Sequence, residues 1–313
     1  MQPNAGEEVA SQRRRTVGHT LLLKESRRTD VTKERMIPLE DFFNDVVGKA
    51  QRGLGLTDSA LAQAAGVTVA ELQALKGGAV DEAVLEKLAG PLNLHAAALQ
   101  VMARQSWLPR PIEMAGLAQF NTPYDDMTVN AYVVWDPVSK KAAAFDTSAD
   151  ASGMMAFIKN YDLSLDYVFI THTHGDHIAD LATLRAGLHG GKMLSHALEP
   201  APGTETFSLE AHPGWTLGAL SIEPRPTHGH ARAGITFVVT GLAHPVAVVG
   251  DALFASSMGG GMVSYADALA TNRASIFSLP DDTILCPGHG PLTTVAEEKQ
   301  HNPFYPEFKA AQN

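Results

Sequence analysis

The chain has 313 residues and a mass of 33.3 kDa, with 45% hydrophobic and 19% charged residues, a globular composition that excludes wholesale disorder. A net charge of −10 and a pI of about 5.7 exclude a whole-protein nucleic-acid binder, because phosphate repels such a surface. The one cysteine, Cys286, excludes a disulfide framework within the chain and any all-cysteine metal site, whereas thirteen histidines point to imidazole chemistry.

Composition divides the chain into three segments. Residues 1–36 carry a net charge of +3, lack apolar periodicity and read as a disordered or weakly ordered tail. Met36 opens the well-patterned part of the chain and is a candidate start codon. Leu21, Leu22 and Leu23 are too short a run for a signal-peptide core. No apolar run reaches the roughly 18–20 residues that span a bilayer. With a single cysteine, this leads us to expect a soluble protein of the reducing cytoplasm, without a membrane partner.

Residues 37–108 carry a net charge of −3 and read as a small all-helical domain. Leu56, Ala60, Leu61 and Ala64 recur at helical spacing, with Thr57 or Asp58 as the cap. Gly66 interrupts, and Thr68 caps a second helix bearing Val69, Leu72 and Leu75, which Gly77-Gly78 ends. Further apolar positions follow at Val84, Leu85, Leu88, Leu92, Leu94, Leu99, Val101 and Met102. The run from Leu56 to Gly78 resembles a Cro/repressor-type helix-turn-helix. That resemblance implies DNA binding, but the recognition-helix position offers only Gln73 and Lys76 as donors, with Glu71 repelling phosphate. We therefore expect a packing or dimerisation module, a homodimer, and no specific DNA binding.

Residues 109–313 carry a net charge of −10 and change character to α/β. Strand-like runs appear at 131–135, 142–145, 167–171, 235–240 and 246–249, and helical stretches at 151–161 and 178–188. Directly after the apolar Tyr167-Val168-Phe169-Ile170 comes Thr171-His172-Thr173-His174-Gly175-Asp176-His177. On an extended strand end His172 and His174 project to one side, since the side-chain period is two. Gly175 permits a sharp turn, which brings Asp176 and His177 to the same cavity. Imidazoles with a carboxylate suit a borderline cation such as zinc.

His172-x-His174-x-Asp176-His177 resembles the signature of the metallo-β-lactamase fold superfamily. Three further segments match it in order: Thr227-His228-Gly229-His230, Val249-Gly250-Asp251-Ala252-Leu253-Phe254, and Cys286-Pro287-Gly288-His289-Gly290-Pro291. The resemblance covers residues 120–305. It implies an αβ/βα sandwich of two mixed sheets with helices outside, preceded here by the small all-helical domain. Carried over residue by residue, it implies one metal site at His172, His174 and His230, a second at Asp176, His177 and His289, and Asp251 bridging them. Asp176 and Asp251 are the carboxylates expected to serve catalysis as well as binding. The implied cofactors are two divalent ions, zinc foremost, with iron or manganese as alternatives. Such ions lower the pKa of a shared water to near neutral, so that hydroxide attacks a carbonyl.

Within the superfamily the combination resembles the glyoxalase II-like hydrolases. This implies a small-molecule substrate, a thioester of the hydroxyacylglutathione type. Two departures stand out: Gly259-Gly260-Gly261-Met262-Val263 where the family often has G-R-T-D-F, and Asp146-Thr147-Ser148 where it has D-x-G. Alternatives are a lactone hydrolase, a persulfide dioxygenase with one iron on His172, His230 and Asp251, and a metal-domain transcriptional regulator. His228 is expected to be a non-ligand neighbour, and Cys286 a buried strand thiol. His189, His212, His244 and His301 are expected on the surface or in loops, and His196 lines the pocket or makes a structural hydrogen bond.

Overall fold

The structure, a computed structural model, describes residues 37–309; the tail expected at 1–36 and the candidate start at Met36 lie outside them. From Pro38 on, the described residues form one compact unit.

Two six-stranded sheets face each other. Sheet one contains, in spatial order, β1 (Leu117–Tyr124), β2 (Met127–Trp135), β3 (Lys141–Phe145), β4 (Ser164–Phe169), β5 (Lys192–His196) and β6 (Glu205–Phe207). Sheet two contains β7 (Trp215–Leu217), β8 (Leu220–Pro226), β9 (Ile235–Thr240), β10 (Val246–Gly250), β11 (Ile284–Pro287) and β12 (Thr293–Thr294). Strands β3 to β6 run parallel, as do β10 and β11. The five strand runs expected from the sequence all fall on strands of these sheets. The run expected at 167–171 ends early, because strand pairing stops at Phe169 before the histidine loop.

Period-two alternation builds three buried layers. On β3, Ala143 and Phe145 enter the core between the sheets, while Ala142 and Ala144 face the outer helices. On β10, Val246 and Val248 join that inter-sheet core, while Ala247 and Val249 face the opposite way. The outer face of sheet one is covered by α6 (Ser152–Asn160) and α7 (Leu181–Gly187) through Met154, Ile158 and Leu184. This is the two-sheet sandwich that the resemblance implies.

Five helices precede the sheets: α1 (Phe43–Gly53), α2 (Asp58–Ala65), α3 (Val69–Lys76), α4 (Glu82–Leu92) and α5 (Ala96–Ala103). Their punctuation follows the sequence. Thr57 Oγ1 accepts from Ala60 N, Gly66 takes the left-handed conformation at φ 63°, and Thr68 and Glu71 form a reciprocal capping box. The segment expected as a domain of its own shares one buried cluster with sheet two. Phe43, Leu72, Leu85 and Leu99 lie in it together with Val249, Leu253, Ile276 and Phe304. Helices α8 (Tyr265–Ser275) and α9 (Val295–His301) complete that layer.

Polar contacts tie the helical segment to the same loops. Asp41, just before α1, is buried and accepts hydrogen bonds from Lys49 Nζ and, at 2.5 Å, from Ser257 Oγ. Lys49 Nζ also donates to Met258 O at 2.9 Å. The largely buried Lys49–Asp41 pair is tolerated because both partners are satisfied. No described helix is long and apolar enough to cross a membrane.

Candidate metal centre

All seven expected ligands stand just past the carboxyl ends of strands. His172, His174, Asp176 and His177 follow β4, His230 follows β8, Asp251 follows β10 and His289 follows β11. Loops at that end of a sheet carry side chains that the strands hold rigid.

The seven donors converge in two groups. His172, His174, His230 and Asp251 offer donor atoms within 4.8 Å of one another, and so do Asp176, His177 and His289. In the first group His174 Nδ1 lies 3.1 Å from His172 Nε2 and 3.0 Å from His230 Nε2. In the second, Asp176 Oδ2 lies 3.5 Å from His177 Nε2 and 3.2 Å from His289 Nε2. Asp251 reaches both groups. Its Oδ2 is 3.4 Å from His230 Nε2 and 3.5 Å from His289 Nε2, and its Oδ1 is 3.2 Å from His177 Nε2.

His172, His177, His230 and His289 each have a partner at the ring nitrogen turned away from the centre. His230 Nδ1 lies 2.9 Å from Gly260 O, and His289 Nδ1 lies 2.7 Å from Thr128 O. A carbonyl oxygen can only accept, so both rings carry a proton on Nδ1 and aim Nε2 at the centre. His177 Nδ1 faces Asp146 Oδ2, with the same consequence. Thr171 Oγ1 donates to that carboxylate, which leaves its own oxygen to accept from His172 Nδ1 at 3.1 Å.

The donor set fits divalent cations. His177 Nε2 and Asp251 Oδ1 are buried, point at each other, and neither makes a hydrogen bond. Orphaned buried donor atoms of this kind need a partner, and a cation supplies one. The space is also cut to measure. A Cβ on Gly288 would fall 2.1 Å from Asp251 Oδ1 and 2.6 Å from His177 Cε1, so the position before His289 admits only glycine.

Burial and neighbouring charges pull against each other at the centre. Burial opposes ionisation of Asp251, but His177 and His289 outweigh it and hold the carboxyl well below the usual range. Burial likewise opposes a charge on His177, but Asp251 and Asp146 raise its pKa to about 10. Burial dominates at His172 and His230 and lowers both. His172 and His230 thus favour the neutral form that binds metal.

Two residues near the centre adopt left-handed backbone without being glycine: Asp146 at φ 57° and Ser148 at φ 49°. Ser148 occupies the position at which the family pattern has glycine. It keeps the glycine-like conformation and is held by Thr122 Oγ1 at 2.9 Å.

The other histidines stand outside both groups. His228 is half-buried, and its carbonyl accepts from Thr271 Oγ1. His196 packs edge-on against Phe207. His189 and His244 are exposed. His301 departs from the surface expectation, since it ends α9 and stacks on Trp107 with centroids 4.0 Å apart. His212 stacks on Trp215, with a buried Nδ1. Cys286 is fully buried in β11, and burial pushes its thiol up. The backbone acceptors at Thr128 and Gly260 were invisible to sequence reasoning, because a carbonyl carries no side-chain signal.

Comparison with known proteins agrees with this geometry. The Metallo-beta-lactamase superfamily matches residues 124–289. The match does not extend to helices α1–α5. Persulfide dioxygenase ETHE1, mitochondrial, of Homo sapiens is 30% identical over 182 residues, covering 55% of this chain and 69% of that protein. Hydroxyacylglutathione hydrolase GloC of Haemophilus influenzae is 28% identical over 202 residues, covering 56% of this chain and 92% of that protein. Among solved structures, the BLEG-1 B3 metallo-beta-lactamase superposes with a TM-score of 0.51 at 25% identity, covering 60% of this chain and 99% of that one. The family match spans more than half the chain and contains every one of the seven donors, so the chain belongs to the metallo-β-lactamase superfamily of metallo-hydrolases.

Proposed function

We propose that this protein is a dinuclear metal hydrolase that cleaves a thioester of the hydroxyacylglutathione type. The observation that carries the reading is Asp251, one carboxylate reaching both donor groups with a buried, unpartnered oxygen. His172, His174 and His230 would hold one divalent ion, Asp176, His177 and His289 the other, with Asp251 shared. Such ions, zinc foremost, supply an activated water at neutral pH and polarise a carbonyl oxygen.

The chain's own residues do the rest. Gly260 O, Thr128 O and Asp146 hold the imidazoles in one tautomer and orientation, so the donor set is organised before any ligand arrives. His177, Asp251 and His289 are buried, whereas His174 and Gly175 are exposed. The substrate carbonyl therefore approaches from the His174 side. The full set of Asp176, His177 and His289 beside the first group favours hydrolysis over one-metal chemistry.

A second reading is favoured by the likeness to persulfide dioxygenase ETHE1. There a single iron would sit on His172, His230 and Asp251. The regulator reading finds less support. Lys76 is tied to Asp58 at 2.7 Å, which leaves Gln73 as the exposed donor on α3.

The deciding experiment offers the purified protein a hydroxyacylglutathione, a lactone and a glutathione persulfide. We expect thiol release from the thioester, abolished by a chelator and restored by zinc. Oxygen uptake with the persulfide and no thiol release would establish the dioxygenase instead.

A further inference from the structure

The three histidines of the first donor group come from different sheets. His172 and His174 stand on the loop after β4 in sheet one, and His230 on the loop between β8 and β9 in sheet two. Their separation and angle therefore depend on how two independent loops are held together. An inter-loop error of an ångström would spoil the set, since metal–nitrogen bonds of roughly 2.0–2.1 Å tolerate little.

Glu199 joins those loops. It lies outside the metal ligands, in the turn that follows β5, where its own N–H donates to His196 O at 3.0 Å. Its Oε1 accepts from Thr173 N at 3.1 Å and from Thr173 Oγ1 at 2.8 Å. Thr173 is the residue between His172 and His174. Glu199 Oε2 accepts from Ala233 N at 2.8 Å, three residues after His230. One half-buried carboxylate thus takes three hydrogen bonds, two from the first loop and one from the second. Hydrogen bonds to an ionised acceptor are the stronger kind.

We propose that Glu199 is a positioning residue that sets the geometry of the His172–His174–His230 metal site by clamping its two loops. It does not touch the metal; it acts through the backbone of Thr173 and Ala233. This rests on the metal-centre reading above. The second group, Asp176, His177 and His289, receives no bond from Glu199 and is held instead by Asp146 and Thr128 O. The clamp is therefore selective for one site of the two.

Substitution can separate the two halves of the clamp. In Glu199→Ala both loops are released. In Glu199→Gln one carbonyl oxygen remains for one loop, while the amide nitrogen meets an N–H donor on the other. The Gln variant is nearly isosteric and keeps the fold even where the Ala variant does not.

The test is cobalt(II) titration of chelator-treated full-length protein, followed by visible absorption and by competition with a chromophoric chelator. Melting temperature without metal serves as the check on folding. The parent protein should take up two equivalents. Glu199→Ala should weaken one equivalent by roughly 10–100-fold, the usual cost of losing an outer-sphere partner, with altered absorption bands for that equivalent and the other unchanged. Glu199→Gln should show a smaller loss in the same equivalent. Two equivalents with parental affinity and spectrum in both variants would overturn the clamp while leaving the metal centre intact. Equal weakening of both equivalents would also overturn it, since a general loosening is not selective. No cobalt uptake by the parent protein would instead overturn the metal-centre reading itself.

Discussion

His177 Nδ1 lies 2.8 Å from Asp146 Oδ2, and this contact decides which ring nitrogen faces the metal donors. The same carboxylate accepts from Thr171 N at 2.8 Å and from Thr171 Oγ1 at 2.7 Å. It therefore orients the histidine directly and the histidine loop through Thr171. Asp146 does this from a left-handed backbone position. Asparagine tolerates that conformation, so Asp146→Asn removes the charge and one acceptor without new strain.

In that variant the amide nitrogen faces His177 Nδ1, and two donors cannot meet. The ring is expected to move its proton to Nε2, the nitrogen that faces the second donor group. Metal affinity of that site should fall by roughly 10–100-fold, with the fold retained. Competitive metal titration, with circular dichroism as the fold control, checks this. Parental affinity would show that the contact does not set the tautomer.

His230 and His228 separate ligand from neighbour. His230→Ala removes a donor from the first group, whereas His228→Ala removes a side chain outside both groups. Turnover of His230→Ala should fall further than the roughly 10–100-fold typical of an outer-sphere loss, and His228→Ala should stay within tenfold of the parent. Steady-state kinetics and metal content on both variants decide it. Equal losses in both would mean that the loop has rearranged.

Glu298 yields a stability prediction away from the metal donors. It is fully buried, and burial pushes its carboxyl up to about 7 from 4.5. The folded state therefore favours the protonated form. Its contribution is full below the unfolded pKa and is lost as pH rises through about 7. Glu298→Gln keeps the contacts: its carbonyl can accept from Ser256 N and Asn302 Nδ2, and its amide can donate to Thr293 Oγ1. The melting temperature of the variant should drop less than that of the parent between pH 5 and pH 8. Parallel curves would contradict the assignment.

The seven donors were legible in the sequence because metal ligands are side chains at fixed spacing from strand ends. His172 and His174 meet at 3.1 Å as their alternation suggests, although they stand on the loop past β4 and not on an extended strand end, and each later motif closes a strand. The helices of the N-terminal segment were legible from their caps, Thr57, Gly66 and Thr68. Their burial partners were not. Leu85 and Leu99 read as core positions, but nothing in the pattern says that the core continues into Leu253 and Phe304, more than 150 residues later. The outer supports were hidden for the same reason. Asp146 stands out only as the acidic residue of the D-x-G-like segment, with no partner named, and Glu199 is an ordinary acidic residue until the fold brings the two to His177, Thr173 and Ala233.

That shared core predicts what truncation does. Removing residues 1–108 uncovers Val249, Leu253, Ile276 and Phe304 and deletes the Asp41 bond to Ser257. An apolar face of this kind drives aggregation when exposed. The truncated protein should be insoluble, or soluble with strong binding of a hydrophobic dye. A monodisperse truncated protein with parental melting behaviour would show that the helices form a separate domain.

The central claim is that Asp251 joins two donor groups into one two-metal centre. Elemental analysis of purified protein after mild dialysis, run beside Asp251→Asn, tests it most directly. Asparagine preserves the shape but removes the anion between the two cations, so their repulsion is no longer offset. The account predicts close to two divalent ions per chain in the parent and a clear loss in the variant, with the fold intact. One ion in the parent, or two retained in Asp251→Asn, would contradict it.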